Sequence, residues 1–373
     1  MDAKAGNVFS FNGGRSSYNS FYLDDSQNTA PNYNQMVSSP SIDAIQEFRI
    51  ETSMYSARYG QGGGGIVSVL TKSGGNAFHG TLYEYHRNKV LDALPFFNTQ
   101  KRQDFPNCLW NQLWGTIGGP IRKDKTIFFF NAEFFRQLAA GTQMIGFAPT
   151  AAERNGDVNN SVNPWGDFPI RLTNPFTGAD IPSKILPDSL KTDVGVKLMS
   201  YWPVPNYPAN PLMNYRVFRG RKNTTNKYLG RIDHSFSSRD FLSGSFNYGN
   251  YDIGSPGYID ISDKVVSQHD RSLTLTYTHT FRPNLVNVFG LNGTQYFSGD
   301  HFVHNDKNYG REWGLDPSTN TNMGPPWVIM FTQGFAFFPI GGIGDSKTFT
   351  RQLYLHDDLS WQKGSHTLQF GGM

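Results

Sequence analysis

The residues most inviting to chemistry lie in "RYGQGGGGIVSVLTKSGGNAFHG", Arg58 to Gly80. Gly60, Gly62 and Gly65 satisfy G-x-G-x-x-G, the spacing with which a backbone loop cradles a dinucleotide pyrophosphate. That chemistry needs a buried strand before the glycines and a helix after them, because the helix N-terminus supplies the N–H groups and the dipole. Here Ile66, Val67, Ser68, Val69, Leu70 and Thr71 follow, a β-branched run without an N-cap. The glycines are expected to open a strand, and no nucleotide cofactor is expected.

Other constellations are less complete. "LHDDLSW" brings His356, Asp357 and Asp358 together, but on a strand His356 and Asp358 face one way and Asp357 the other. No third ligand can be named, so lumen-facing polar residues are the expectation and a metal is not. Asp and Glu are scattered through the loops, and nothing fixes the separation that glycoside hydrolysis needs. There is no G-x-S-x-G or H-E-x-x-H. Cys108 is alone, which removes a disulfide framework and a thiolate cluster. No catalytic residue is named and the chain is not expected to be an enzyme. In "YWPVPNYPANPLMNY" (201–215), Tyr201, Trp202, Tyr207 and Tyr215 could stack on sugar rings or peptide side chains, or pack the loop on itself. "NMGPPWVIMFTQGFAFFPIGG" (322–342) has the same two readings.

The elements that would carry these residues show in composition and periodicity. Of 373 residues, 17% are charged, below the ~25% of ordinary soluble domains, and 15% are aromatic. Mean hydropathy is nevertheless −0.48, and no stretch reaches the ~18 apolar residues of a spanning helix. Few charges, 39 glycines and many aromatics fit strands whose apolar and polar residues alternate. The net charge of +3 is scattered, so no nucleic-acid partner is expected. The first residues have no apolar signal segment, and both ends look cut from a longer chain.

Nine strand-like segments follow residue 77: Phe78–Arg87, Gln112–Ile121, Thr126–Gln137, Asn226–Phe236, Phe241–Tyr251, Arg271–Phe281, Leu285–Phe297, Arg351–Trp361 and His366 onward. Each is about the ~9–11 residues of a tilted transmembrane strand. In "SLTLTYTHTF", Leu273, Leu275, Tyr277, His279 and Phe281 share one face, while Ser272, Thr274 and Thr276 share the other. In "NKYLGRIDHSF", Tyr228, Gly230 and Ile232 oppose Lys227, Arg231 and Asp233. Tight polar turns (122–125, 237–239, 282–284, 362–365) alternate strictly with long stretches (88–111, 138–225, 252–270, 298–350). Short turns at one end and long loops at the other are the pattern of an outer-membrane barrel. A sandwich keeps turns of ~8–12-residue spacing at both ends. Residues before 77 read as a small mixed α/β unit that includes an amphipathic "SIDAIQEFRIETSMYSARYG".

"IQEFRIETSMYSARYGQGGGGIVSVLTKSGGNAFHG" resembles the C-terminal half of the plug domain of TonB-dependent outer-membrane receptors. Glu47, Phe48, Arg49 and Ile50 match one family strand, and Tyr59, Gly60, Gly64, Gly65, Ile66, Val67, Val69, Thr71 and Lys72 match the next element. "GGRSSYNSFYLDD" looks like the arginine and L-D-G segment of the Oar-like branch, through Arg15 and Asp24, with Asp25 where glycine is usual. "IGGPIRKDKTIFFFNAEFFR" and "HDDLSWQKGSHTLQFGG" also look like hairpins of that branch.

The resemblance implies residues 1–77 as the C-terminal part of a plug and 78–373 as the N-terminal part of an incomplete transmembrane β-barrel. The implied location is the bacterial outer membrane. The implied function is energised uptake of a large solute: a glycan, a peptide or a metal chelate. Implied partners are outer-membrane lipid and a TonB energy-coupling complex, reached through an N-terminal segment missing here. The glycines would let the plug pack closely inside the barrel. A secreted or surface β-sandwich that binds carbohydrate is the alternative. Its outward faces should be more charged than these.

Overall fold

The computed structural model describes residues 10–30, 34–53, 55–56, 58–60, 63–93, 108–161, 170–208, 213–306, 308–315, 324–329, 331–332, 335–341 and 346–373. The N-terminal unit holds β1 (Ser20–Leu23), β2 (Ser26–Gln27), β3 (Thr29–Ala30), β4 (Gln35–Met36), β5 (Ile45–Glu51) and β6 (Ile66–Thr71). Its four-stranded sheet runs β2-β1-β6-β5, with β1 parallel to β6 and β5 antiparallel to it. β6 buries Ile66, Val67 and Val69, which explains its β-branched sequence. The amphipathic stretch does not become an α-helix. Among described residues 10–77 the only helical pieces are 3-10 turns at Ser16–Tyr18 and Ile42–Ala44, and Ile45–Glu51 extends as β5.

Asp24 and Asp25 form the two-residue β1–β2 turn, with φ of +48° and +63°. Both central residues at positive φ make a type I′ hairpin turn, for which Asp-Gly is favoured. A carboxylate side chain tolerates this region better than most, so Asp25 serves in place of glycine.

The wall is a nine-stranded antiparallel meander in strict chain order, apart from a loop hairpin. It comprises β7 (His79–Asn88), β8 (Leu109–Arg122), β9 (Thr126–Gly146), β10 (Tyr215–Ser235), β11 (Asp240–Ser255), β12 (Lys264–Arg282), β13 (Leu285–Phe302), β16 (Ser346–Lys363) and β17 (His366–Gly372). The loop hairpin is β14 (Phe331–Thr332) with β15 (Phe335–Ala336). All nine expected strands are present, in the expected up-and-down order. Several reach further than alternation indicated: β9 and β10 are 21 residues each, and β11 to β12 needs only the short connection 256–263.

Register settles which face is which. Ile117, Phe130, Gly230, Phe246, Leu273, Gly293 and Leu353 form one continuous cross-strand row. Its large members are exposed, from 43% at Phe130 to 72% at Leu353. One step along, Thr116, Asn131, Leu229, Asn247, Ser272 and Thr294 form the opposite-facing row, and all but Thr116 are buried. A sandwich buries its apolar face and wets its polar one. This wall does the reverse, as a sheet immersed in lipid must.

Beyond the lipid-facing band, α1 (Ala151–Arg154), α2 (Asp193–Tyr201) and α3 (Tyr309–Glu312) belong to the two longest loops. These loops share an aromatic core of Phe147, Trp202, Tyr215, Tyr309, Trp313, Phe337 and Phe338. Arg154 ties it down by donating to the carbonyls of Pro149, Met199, Trp202 and Pro203. Burial lowers its guanidinium pKa from the ordinary value.

Candidate functional site

The N-terminal unit meets the inward face of the wall through polar groups, and the central one is Asp24. The β1–β2 turn aims its carboxylate at β6. Oδ1 accepts the Thr71 N–H at 2.8 Å, and the Thr71 hydroxyl lies 2.9 Å from both carboxylate oxygens. Oδ2 also accepts the Ser245 hydroxyl of β11 at 2.7 Å. From β10, Arg231 donates Nη1 to the Thr71 carbonyl at 3.1 Å and lies 3.4 Å from Asp24 Oδ1. Its Nε lies 3.0 Å from both oxygens of Asp233. Asp233 in turn accepts the Ser73 hydroxyl, which returns the network to the N-terminal chain.

Asp24, Thr71, Asp233 and Ser245 are all buried, Asp233 to 2% exposure. Two carboxylates around one guanidinium, out of water, are stable only while each keeps its partners. The arrangement ties the N-terminal unit to the inward face of the wall.

Two further ties flank it. Arg58 lies 3.3 Å from Asp358 of β16 and 3.8 Å from Asp25. Asn76 donates to the Asp124 carboxylate at 2.6 Å and accepts the Asp124 N–H at 2.9 Å, docking on the β8–β9 turn. Close by, Gly74 presses on the wall: a Cβ there would stand 2.1 Å from the Phe128 carbonyl oxygen.

The residues singled out in sequence distribute unevenly around this interface. Asp24 and Thr71 are its centre. Tyr59 packs edge-on against Tyr22, with ring centroids 4.8 Å apart. Lys72 contributes its backbone N–H to the Ala44 carbonyl at 2.8 Å. Arg15 and Glu47 are exposed and lie outside the network.

Gly64 and Gly65 are required by close approach, but against the N-terminal unit's own chain rather than the wall. A Cβ at Gly64 would lie 2.5 Å from Asn19 Oδ1, and one at Gly65 would lie 2.3 Å from the Phe11 ring. Space does not demand glycine at Gly60, whose nearest neighbour is the Met373 side chain at 3.6 Å. Gly62 lies outside the described residues. The strand expected after the glycines is β6, so the helix that a phosphate cradle needs is not there.

His356 and Asp358 point inward and Asp357 outward, as strand parity requires. Asp357 accepts from Asn287 at 2.6 Å on the outward side. The buried His356 ring fills the space over Gly290, and its Nε2 lies 3.9 Å from Asp358. Among the described residues no group of three or more His, Cys, Asp or Glu side chains could hold a metal.

The aromatic loop needs correction. Trp202 is 1% exposed, with its Nε1 donating to the Phe338 carbonyl at 2.8 Å, and Tyr215 is 9% exposed. Both are core residues of the interlocked loops, as a large aromatic gains most by leaving water. Tyr201 packs on Trp313 with centroids 5.2 Å apart and Tyr207 lies under Arg216, each half-buried.

Sequence reasoning did not assign Arg231, Asp233, Ser73 or Ser245 to a site. The signal that finds the first two is a guanidinium and a carboxylate two apart on the inward face of one strand. Such charges need a partner from whatever fills the lumen.

An outer membrane beta barrel domain model matches residues 70–373. The TonB-dependent transporter Oar of Myxococcus xanthus is 32% identical over 170 residues, which are 43% of this chain and 15% of that protein. Among solved structures, the outer membrane transporter YddB from Escherichia coli superposes with a TM-score of 0.59 at 10% identity, covering 97% of this chain and 41% of its own. The siderophore receptor PirA from Acinetobacter baumannii gives 0.54 at 10% identity, covering 97% and 40%. A mutant of the ferric enterobactin receptor PfeA from Pseudomonas aeruginosa gives 0.52 at 12%, covering 97% and 41%. The chain thus spans a small part of the first and well under half of the others. With most of its length matched by the barrel model and its wall greasy outside and polar inside, the chain belongs to the outer-membrane β-barrel family and to the bacterial outer membrane.

Proposed function

We propose that this chain is part of a TonB-dependent receptor for a large solute, with residues 1–77 forming part of its plug and 78–373 the first part of its barrel wall. The observation that carries this reading is the largely buried network of Asp24, Thr71 and Ser73 with Arg231, Asp233 and Ser245. Such a network holds the plug shut at rest and separates in one cooperative event when ligand and pulling force favour the open state. The interlocked loops beyond the lipid band are the receptor surface. Solute is met by Tyr201, Tyr207 and their exposed neighbours, while Trp202 and Tyr215 hold the loops in shape. A glycan, a peptide and a metal chelate all suit an aromatic, polar loop surface. A siderophore is the ligand of PirA and ferric enterobactin that of PfeA; neither is assigned to this chain.

Cells carrying the full-length receptor test this reading through entry of vancomycin, a hydrophilic antibiotic that an intact outer membrane excludes. The wild type should stay closed, and Arg231→Met should admit the antibiotic at equal receptor abundance. A variant as tight as the wild type would remove the latch from the account.

A further inference from the structure

The short turns of such a wall face the periplasm, and here they carry a charge that the latch does not use. The four tight turns (122–125, 237–239, 282–284 and 362–365) hold six basic residues, Arg122, Lys123, Lys125, Arg239, Arg282 and Lys363, against one acidic residue, Asp124. All six are exposed, and among the described residues none of them makes an ion pair. Asp124 is already engaged, by the Asn76 amide. Cations gathered at one end of a lumen with so little counter-charge raise the potential there and draw anions to it.

Two of these turns frame a cleft on the inward face. Ser235 donates its N–H to the Lys125 carbonyl and Thr280 its N–H to the Arg239 carbonyl, both at 2.8 Å, which seats the turns against β10 and β12. Ser235, Phe241 and Thr278 are direct cross-strand partners on β10, β11 and β12. With Lys125, Arg239 and Thr280 they line a cavity of about 490 Å³. A second cavity, of about 340 Å³, shares Lys125, Ser235 and Phe241 and reaches Asn76 and Asp233. The cleft therefore runs from the turn cations to the wall side of the latch. Its other carboxylates are also engaged, Asp233 by Arg231 and Asp240 by the Tyr277 hydroxyl at 2.6 Å and the Ser237 hydroxyl at 2.5 Å. Lys125 and Arg239 are the charges in it that have no ion pair among the described residues.

We propose that this cleft is the exit site of the transported solute and selects for carboxylates, with Lys125 and Arg239 as the recognising residues. The proposal rests on the receptor reading, since a solute set free by the latch leaves between the latch and the periplasmic turns. An arginine fork meets a carboxylate with two parallel hydrogen bonds, and the lysine adds a point charge. The hydroxyls of Ser235, Thr278 and Thr280 can donate or accept, and the Phe241 ring offers one apolar surface. A neutral glycan gains nothing from either cation, so a peptide or chelate with free carboxylates is the better match. An acidic segment of a periplasmic protein would present the same group from the other side, and its presence there is an outcome of the test.

The test uses the full-length receptor and tricarballylate, a small tricarboxylate, with its uncharged triamide as control. Calorimetry in mild detergent should show saturable binding of tricarballylate to wild type and none of the triamide. Lys125→Gln/Arg239→Gln should bind at least about tenfold more weakly, as expected when charge-assisted hydrogen bonds are lost. Planar bilayers then ask whether the site lies on the path. Arg231→Met should conduct, tricarballylate added on the short-turn side should block the current, and the double change should raise the concentration needed at least about tenfold. No binding to wild type, equal binding by the double variant, or equal binding of the triamide overturns the carboxylate site. A current indifferent to bound tricarballylate overturns the exit role and leaves the cleft to a periplasmic acidic segment. Absence of current in Arg231→Met refutes the latch, and the exit role with it, while calorimetry still decides the carboxylate site. Should the double variant fail to reach the membrane, Lys125→Gln alone, on an exposed turn, decides by the same readings.

Discussion

Replacing Arg231 with Met should loosen the plug without unfolding the wall. The substitution removes the cation that lies 3.0 Å from Asp233 and 3.4 Å from Asp24, while keeping a side chain of similar length. Removing one member of a buried charge pair costs ~3–5 kcal/mol, because the remaining charge is left without compensation. Asp24 keeps three donors, the Thr71 N–H, the Thr71 hydroxyl and the Ser245 hydroxyl, so the lower end applies. About 3 kcal/mol corresponds to roughly two decades in an opening equilibrium. Hydrogen exchange by mass spectrometry on the full-length receptor should show peptides across β6 exchanging ~100-fold faster in the variant. Peptides from β11 and β12 should be unchanged. A change below ~3-fold in β6 would mean that Arg231 does not hold the plug. Equal loss across β11 and β12 would mean that it serves the wall.

Facing gives a second expectation. Leu275→Arg should destabilise the wall by ~2–4 kcal/mol if position 275 lies near the bilayer midplane, whereas Thr276→Arg should be far milder. Lipid-refolding titrations of the intact protein that gave equal losses would contradict the assigned faces. Changing Gly64 and Gly65 together to Val forces contact with Asn19, Tyr18 and Phe11, so the plug should be disturbed while the wall still folds. The readout is a receptor that reaches the outer membrane yet leaks small solutes. Normal sealing would show that the chain yields easily there. In the loops, Trp202→Ala empties the centre of the aromatic core and should cost ~3–5 kcal/mol locally. Limited proteolysis should then cut the 150–208 region first. A cleavage pattern identical to the wild type would mean that the loops do not depend on that core.

The strands were legible because two different solvents write opposite signs on alternate residues. Lipid outside and a polar N-terminal unit inside make Leu273 and Ser272 unmistakable neighbours. Above the lipid the outward face meets water, the alternation fades, and the ladder of β9 with β10 continues unannounced to Gly146 and Tyr215. The N-terminal unit's strands were legible through resemblance, and the β-branched run at Ile66 to Thr71 supported it independently. Half of the latch was visible, since Asp24 and Thr71 stood in recognisable segments. Arg231 lies 207 residues from Asp24, and no local pattern records which inward-facing charge a plug residue will meet. The aromatic loop kept two readings for a related reason. A large ring that reads solute and a large ring that fills a loop core have the same sequence, and only the fold separated Trp202 from Tyr207.

The central claim is that the latch opens when the receptor is energised. Ser73→Cys places a thiol against Asp233, half-buried where plug and wall meet, so a membrane-impermeant maleimide should reach it faster when the two part. The labelling rate in live cells, measured with and without the TonB protein, reads that opening directly. Labelling that is slow in the absence of TonB, rises in its presence, and becomes fast without it in Arg231→Met is the expected result. Labelling that ignores both TonB and Arg231 would contradict the account.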